Sequence, residues 1–360
     1  KQPIAERSSA PLTAKSQGAN LTPLTLDEAR ALIAPKQRAR GATAKSSATA
    51  ELSAAPVGKA RQTFEAQHDE VVARETTEYT QLITLLTDRG AKAPPAPVGR
   101  GAKRVTTESA ESLTPLKVFA EGDSWFSYPL HADGGIIRRL SRRLGVPILN
   151  LAHAGDEVRY MLGVKQRERL VQVLKDGNPA GGAWELILFS GGGNDIVGDP
   201  MALWVKDWDK SVDPAALLHT KRFDAAVDLV LAGYEDLLAL RNALSPGTHV
   251  ILHAYDFAIP DGRGACYLGP WLNPTFDARG FPKPLPARTA VVEAMLRRFA
   301  DRLSAFEKKN NKVSFLNTQG TLPRNTSSWH NELHPSDEGF DTFAGLFHEK
   351  IKALFPTRVA

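Results

Sequence analysis

Five short apolar or β-rich runs alternate with long helix-patterned stretches between residues 117 and 317, and this alternation constrains the fold more than any other feature of the 360-residue chain. The runs are Lys117–Glu121, Val146–Ala152, Glu185–Ser190, His249–Tyr255 and Val313–Asn317. Helical patterning covers about 134–144, 157–174, 223–243 and 288–309, and a closing helix is expected over Asp337–Leu354 with Ser336 as its N-cap. Strands that alternate with helices in this way build a parallel sheet covered on both faces. Two insertions, 198–222 and 258–287, follow strand ends, the edge at which open α/β sheets bind ligands.

The chain is too long for one ordinary core, so a catalytic region over 113–360 is expected to carry an N-terminal appendage. Residues 1–58 are rich in Ala, Ser, Thr, Pro and Lys, a composition that favours disorder, with one short helix expected over Thr25–Ile33. Over 59–112 an amphipathic helix precedes a Pro- and Gly-rich linker. Phe64, Val71, Val72, Tyr79, Leu82, Ile83 and Leu86 recur at helical steps, and the resulting apolar face must dock on something, whether the chain's own core or a protein partner.

Composition excludes several classes of function. The net charge of +5 is concentrated in residues 1–112, which hold 16 basic against 12 acidic residues, leaving 29 against 28 elsewhere. Without interleaved aromatics that excess reads as a solvated face, not a nucleic-acid surface. No run reaches the roughly 18 apolar residues of a membrane span. Cys266 is the single cysteine, so no disulfide forms within the chain. Gly191-Gly192-Gly193 lacks the Lys and spacing of a phosphate loop. Compartment stays open.

Four segments at strand ends carry the chemistry. Phe119-Ala120-Glu121-Gly122-Asp123-Ser124-Trp125 runs a strand into a Gly-Asp-Ser turn. Asn150 to Asp156 ends the second strand in a turn bearing Gly155, and Gly192-Gly193-Asn194-Asp195 ends the third. His334-Pro335 follows the fifth strand across a loop. A serine after a strand is by itself more often a cap or turn residue. In this order, however, the segments resemble the four signature blocks of the SGNH/GDSL hydrolase family over about residues 116–354.

That resemblance implies a flavodoxin-like three-layer α/β/α sandwich around a mainly parallel five-stranded sheet, and ester hydrolysis through an acyl-serine. Ser124 would be the nucleophile and His334 the base. The main-chain N–H groups of Ser124 and Gly155, with the Asn194 side chain, would form the oxyanion hole. No metal or other cofactor is called for. The family usually places an Asp three residues before the catalytic His, whereas this chain has Asn331. Four readings compete: a Ser-His dyad, Asn331 as a neutral orienter, Glu332 as the acid, or Asp256 as the acid. Asn331 is preferred by position.

Trp125, Tyr255, Tyr267 and Trp271 are candidate substrate contacts, the last two within an aromatic, Pro-rich lid over 258–287 that Trp204 and Trp208 would join. The expected substrate is an ester with an acyl or acetylated-carbohydrate component. His131, His153 and His253 read as structural or surface residues, and Asp123 and Asp195 as braces of their turns. The same residues would serve an acyltransferase, and a catalytically silent binding protein is the rival from another class.

Overall fold

The computed structural model describes residues 22–34, 57–92, 114–265 and 268–359, with side chains of the long N-terminal helix described from residue 69 onward. Most of the proposed tail, most of the Pro/Gly linker and Tyr267 lie outside these residues, and so does the side chain of Phe64. Five strands form the sheet: β1 (Val118–Gly122), β2 (Ile148–Asn150), β3 (Leu186–Ser190), β4 (His249–His253) and β5 (Val313–Leu316). Every pairing is parallel, in the order β2-β1-β3-β4-β5. All residues of β1 and β3 are buried, which is why these strands read as continuous apolar runs and not as alternating ones.

Helices cover both faces. α3 (Ile136–Leu144) packs against α9 (Asp337–Leu354) on one side. On the other lie α5 (Val164–Asp176), α6 (Thr220–Leu244) and α8 (Leu285–Lys309), with the short α7 (Asn273–Ala278) in the second insertion. α9 begins where the sequence predicts, because the Ser336 side chain accepts the Gly339 N–H at 3.1 Å and caps it. Phe340, Phe343 and Phe347, one helical face of α9, are fully buried against Trp125 and Phe126. The helix expected over 157–174 is instead two, α4 (Val158–Met161) and α5. Gly163 separates them, lying so close to α4 that a Cβ there would sit 2.8 Å from Arg159 O. Asp195 accepts the Val158 N–H at 3.0 Å and so pins the start of α4.

The N-terminal helices α1 (Leu26–Ile33) and α2 (Val57–Arg89) are built as one attachment. A capping box between Thr25 and Glu28 starts α1, and Leu26 and Ala29 pack on Leu82, Leu86 and Ala91. An adjacent stripe of α2 joins the main core through Val72, Tyr79 and Ile83. Asn178 donates to the Tyr79 hydroxyl at 2.7 Å, and the Tyr79 ring lies 5.5 Å from Trp184. Among the described side chains of that face, Val72, Tyr79, Leu82, Ile83 and Leu86 are thus buried against the rest of the chain, while Val71 stays exposed. Among the described residues no helix is long and apolar enough to cross a membrane.

Candidate active site

Because β2 lies on one side of β1 and β3 on the other, the chain reverses direction of winding between β1 and β3, and a crevice opens beyond their carboxyl ends. Ser124 stands just past β1, and Asn194 begins a short 3-10 turn (Asn194–Ile196) just past β3. The β1–β3 approach is close: a Cβ on Gly122 would lie 2.6 Å from Ser190 O. His334 arrives from the loop between β5 and α9, 210 residues after Ser124, and its Nε2 is 2.6 Å from Ser124 Oγ.

The loop Trp329–Pro335 decides the imidazole's state. Asn331 Oδ1 accepts the main-chain N–H groups of Leu333 and His334, each at 2.9 Å, so it is the oxygen of the amide that faces His334 Nδ1, also at 2.9 Å. Nδ1 therefore carries the proton, and Nε2 is left as an acceptor for the Ser124 hydroxyl. Burial, reinforced by His330 and His131 nearby, pushes the His334 pKa down to about 3. The ring is neutral across the physiological range.

Neither carboxylate considered as an alternative partner reaches His334. Glu332 is fully buried, and its oxygens accept main-chain N–H groups of Gly262, Trp271, Leu272 and Asn273 at 2.6–3.0 Å. It ties the second insertion to the histidine loop. Asp256 accepts N–H groups of Phe257, Gly320 and Leu322 at 2.6–2.8 Å. Both carboxylates satisfy buried backbone donors, a role adjacency in sequence does not reveal.

Asp123 holds the serine turn from below. Its carboxylate accepts the Trp125 N–H at 3.0 Å, the Ser190 hydroxyl at 2.9 Å and the Tyr255 hydroxyl at 2.5 Å. His253 Nε2 lies 2.8 Å from Ser190 Oγ, between the stacked faces of Trp125 and Phe126. Burial raises the Asp123 pKa to about 6 and lowers that of His253 to about 4. This buried array sits behind the serine, with His253 only 1% exposed.

Of the donors expected around an oxyanion, Ser124 and Asn194 line one cavity, and Gly155 lies in the turn beyond the neighbouring strand β2. Gly155 adopts φ +90°, which only glycine takes readily, in an exposed turn beyond β2. Asn194 Nδ2 gives one proton to Asp156 O at 2.9 Å, which couples that turn to β3. Gly193 packs so tightly that a Cβ would lie 2.8 Å from the Tyr255 ring.

Ser124, Asn194 and His334 line a cavity of about 520 Å3, counted with its open mouth. Its remaining walls are mostly Ile196, Val197, Ala258, Leu272, Val292, Met295, Leu296 and Leu333. Trp125 and Tyr255 also face it, but both are buried and their polar atoms are engaged, Trp125 Nε1 donating to Leu333 O at 3.1 Å. Trp271 meets His334 edge to face at 5.8 Å. The other insertion aromatics differ from the expected lid: Phe276 and Trp204 are buried, against Phe281 and Phe223 respectively, and Trp208 packs on Phe281. They fill a small core beneath the loops. Sequence reading missed Tyr128 and His330 as neighbours of the site, since nothing local marks them; the Tyr128 ring stacks on His334 at 4.4 Å.

No curated protein matches the chain. Among solved structures, it is similar to a lipase from a goat-rumen metagenome (16% identity, 65% of this chain and 96% of that one, TM-score 0.41). It is also similar to family 3 carbohydrate esterases from Talaromyces cellulolyticus (12%, 67% and 98%, TM-score 0.40) and Clostridium thermocellum (13%, 68% and 99%, TM-score 0.39). A model of the GDSL-like lipase/acylhydrolase family matches residues 120–341, a span that takes in Ser124, Gly155, Asn194 and His334. That is more than half of the chain, which therefore belongs to the GDSL-like lipase/acylhydrolase family.

Proposed function

We propose that the chain hydrolyses carboxylic esters with an apolar acyl group, using Ser124 as nucleophile, His334 as general base and acid, and Asn331 as the neutral orienter of His334. The observation that carries this is the 2.6 Å contact between Ser124 Oγ and His334 Nε2 at the mouth of a cavity with mainly apolar walls. Ser124 Oγ attacks the ester carbonyl carbon while its proton passes to His334 Nε2. The carbonyl oxygen becomes an oxyanion, which receives hydrogen bonds from the Ser124 and Gly155 N–H groups and from Asn194 Nδ2. When the tetrahedral intermediate collapses, the C–O bond to the alcohol breaks and His334 returns the proton to the leaving oxygen. Water then attacks the acyl-serine with His334 again taking a proton, and the carboxylic acid and free Ser124 are released.

Asn331 contributes geometry without charge. Its oxygen holds the Nδ1–H tautomer, while the positive imidazolium formed in each step lacks the nearby carboxylate that an Asp would supply. The apolar walls favour an acyl chain over the bare acetyl of a sugar ester.

The test combines fluorophosphonate labelling with hydrolysis of p-nitrophenyl esters from acetate to palmitate. Label on Ser124 alone, lost in Ser124→Ala and His334→Ala, together with turnover of medium-chain esters, is the expected result. Labelling without hydrolysis would redirect the reading to acyl transfer onto an acceptor other than water. If Ser124 takes no label and no ester is turned over, the proposal is wrong and a binding role on this scaffold takes its place.

A further inference from the structure

We propose that Tyr128 and His330 are positioning residues for His334, linked in a chain of hydrogen bonds that runs from the buried imidazole to an exposed one. The inference rests on the hydrolase reading above. Its first bond is His334 Nδ1–H to Asn331 Oδ1, whose direction is set by the two main-chain donors on that oxygen. The amide nitrogen then faces the other way, and Asn331 Nδ2 donates to the Tyr128 hydroxyl at 3.1 Å. With that lone pair used, the Tyr128 proton points to His330 Nδ1, 2.5 Å away. Every donor in the chain is thereby oriented outward, and the last acceptor is a ring nitrogen of an exposed residue.

Tyr128 acts on His334 in two ways. Its ring lies over the imidazole at 4.4 Å with 28° between the planes, which restricts rotation of the base. Its hydroxyl accepts the proton of the Asn331 amide, which is fully buried and has no access to water. His330 completes the arrangement only while Nδ1 is unprotonated. A proton on Nδ1 would reverse this contact, so that Nδ1–H donates to the Tyr128 oxygen and the phenolic hydrogen leaves the outward chain.

The groups around His330 are basic on balance. The His131 ring lies 5.0 Å away, and Arg263 Nη1 donates to His330 O at 3.4 Å. Asp337 is 3.7 Å from His131 and is paired with Arg139, while Asp261 is paired with Arg263 at 2.7 Å. Burial, His131 and Arg263 accordingly hold the His330 pKa below the usual histidine value. The neutral form is kept at neutral pH and lost on acidification. His334 itself resists protonation until far lower pH, whereas Asp123 and Asp195 are held near 6, so the part of an acid limb that reports His330 is the part that changes when His330 is replaced.

The experiment is the rate of Ser124 phosphonylation by a fluorophosphonate across pH 4 to 8, which requires an active base and no knowledge of the natural ester. Wild type is compared with Tyr128→Phe, His330→Asn, His330→Ala and the double variant Tyr128→Phe/His330→Ala. Tyr128→Phe keeps the stacked ring and removes only the hydroxyl, and His330 is exposed, so its variants fold. We expect Tyr128→Phe and His330→Ala each to lower the plateau about tenfold. The double variant should be no slower than Tyr128→Phe, since both break one chain. In His330→Asn a side-chain oxygen replaces Nδ1 without titrating, so the acid limb should move to lower pH. Additive losses, or a His330→Asn profile that superimposes on that of the wild type, would overturn the proposal. A wild type that takes no label at Ser124 overturns the hydrolase reading first, and this inference with it.

Discussion

Asn331 sets the tautomer of His334 through one oxygen that accepts three N–H groups. Removing that oxygen in Asn331→Ala frees the ring to place its proton on Nε2, and kcat should fall by about three to four orders of magnitude. Asn331→Asp keeps an acceptor at the same place and should stay within about tenfold of wild type in the same ester assay. Asn194→Ala removes one of the proposed oxyanion donors and should cost about two to three orders of magnitude in kcat, with little change in KM. Histidine NMR tests the electrostatics directly. His334 and His253, held near 3 and 4, should keep neutral-form shifts from pH 8 to pH 5. Both pKa values lie below that of an unfolded histidine, so each stabilises the fold above pH about 6.5 and loses that contribution as pH falls toward its folded value. At this scale, the placement of Ser124, His334, Asn194 and Gly155 in strand-end turns and loops was readable from their motifs, whereas the hydrogen-bond partners of Glu332, Asp256, Tyr128 and His330 were not. A side chain's hydrogen-bond partner depends on which distant backbone N–H groups or rings the fold delivers to it.

Among the elements, the closing helix α9 was legible to the residue because a capping serine and a buried aromatic stripe coincide. The 157–174 stretch was not. Apolar periodicity runs through Gly163, and only packing against the Asp195-pinned turn shows that the helix must restart there. The turn carrying Gly155 is sensitive through its backbone conformation alone, since a Cβ there would meet nothing within 4 Å. Gly155→Ala forces φ +90° on a residue with a Cβ, and should cost about 1–3 kcal/mol of stability by denaturant titration, with kcat reduced as the N–H shifts. The amphipathic pattern of α2 called for a docking surface, and the chain supplies one. Ile83→Ala, at a fully buried position, should therefore lower stability by about 2–5 kcal/mol. An unchanged melting temperature would mean that α2 does not rest on the core in solution and that its apolar face is open to a partner.

Across the whole molecule, the sheet order places Ser124, Gly155 and Asn194 at neighbouring strand ends and leaves a cavity beside them whose walls come from α8, the second insertion and the histidine loop. Ala258 is a small apolar residue in that wall, so Ala258→Leu should fill acyl space, reducing kcat/KM for long-chain p-nitrophenyl esters far more than for the acetate. A uniform loss across chain lengths would argue that acyl groups bind elsewhere. The alternation of apolar runs and helical stretches, read along the chain, determined the parallel sheet and its strand-end turns, because backbone hydrogen bonding and burial on two faces leave few other arrangements. The lining of the cavity, the aromatics that turned from lid to core, and the third partner of the histidine were decided only in three dimensions. Each depends on contacts between segments tens to hundreds of residues apart, and local composition carries no record of which of them will meet.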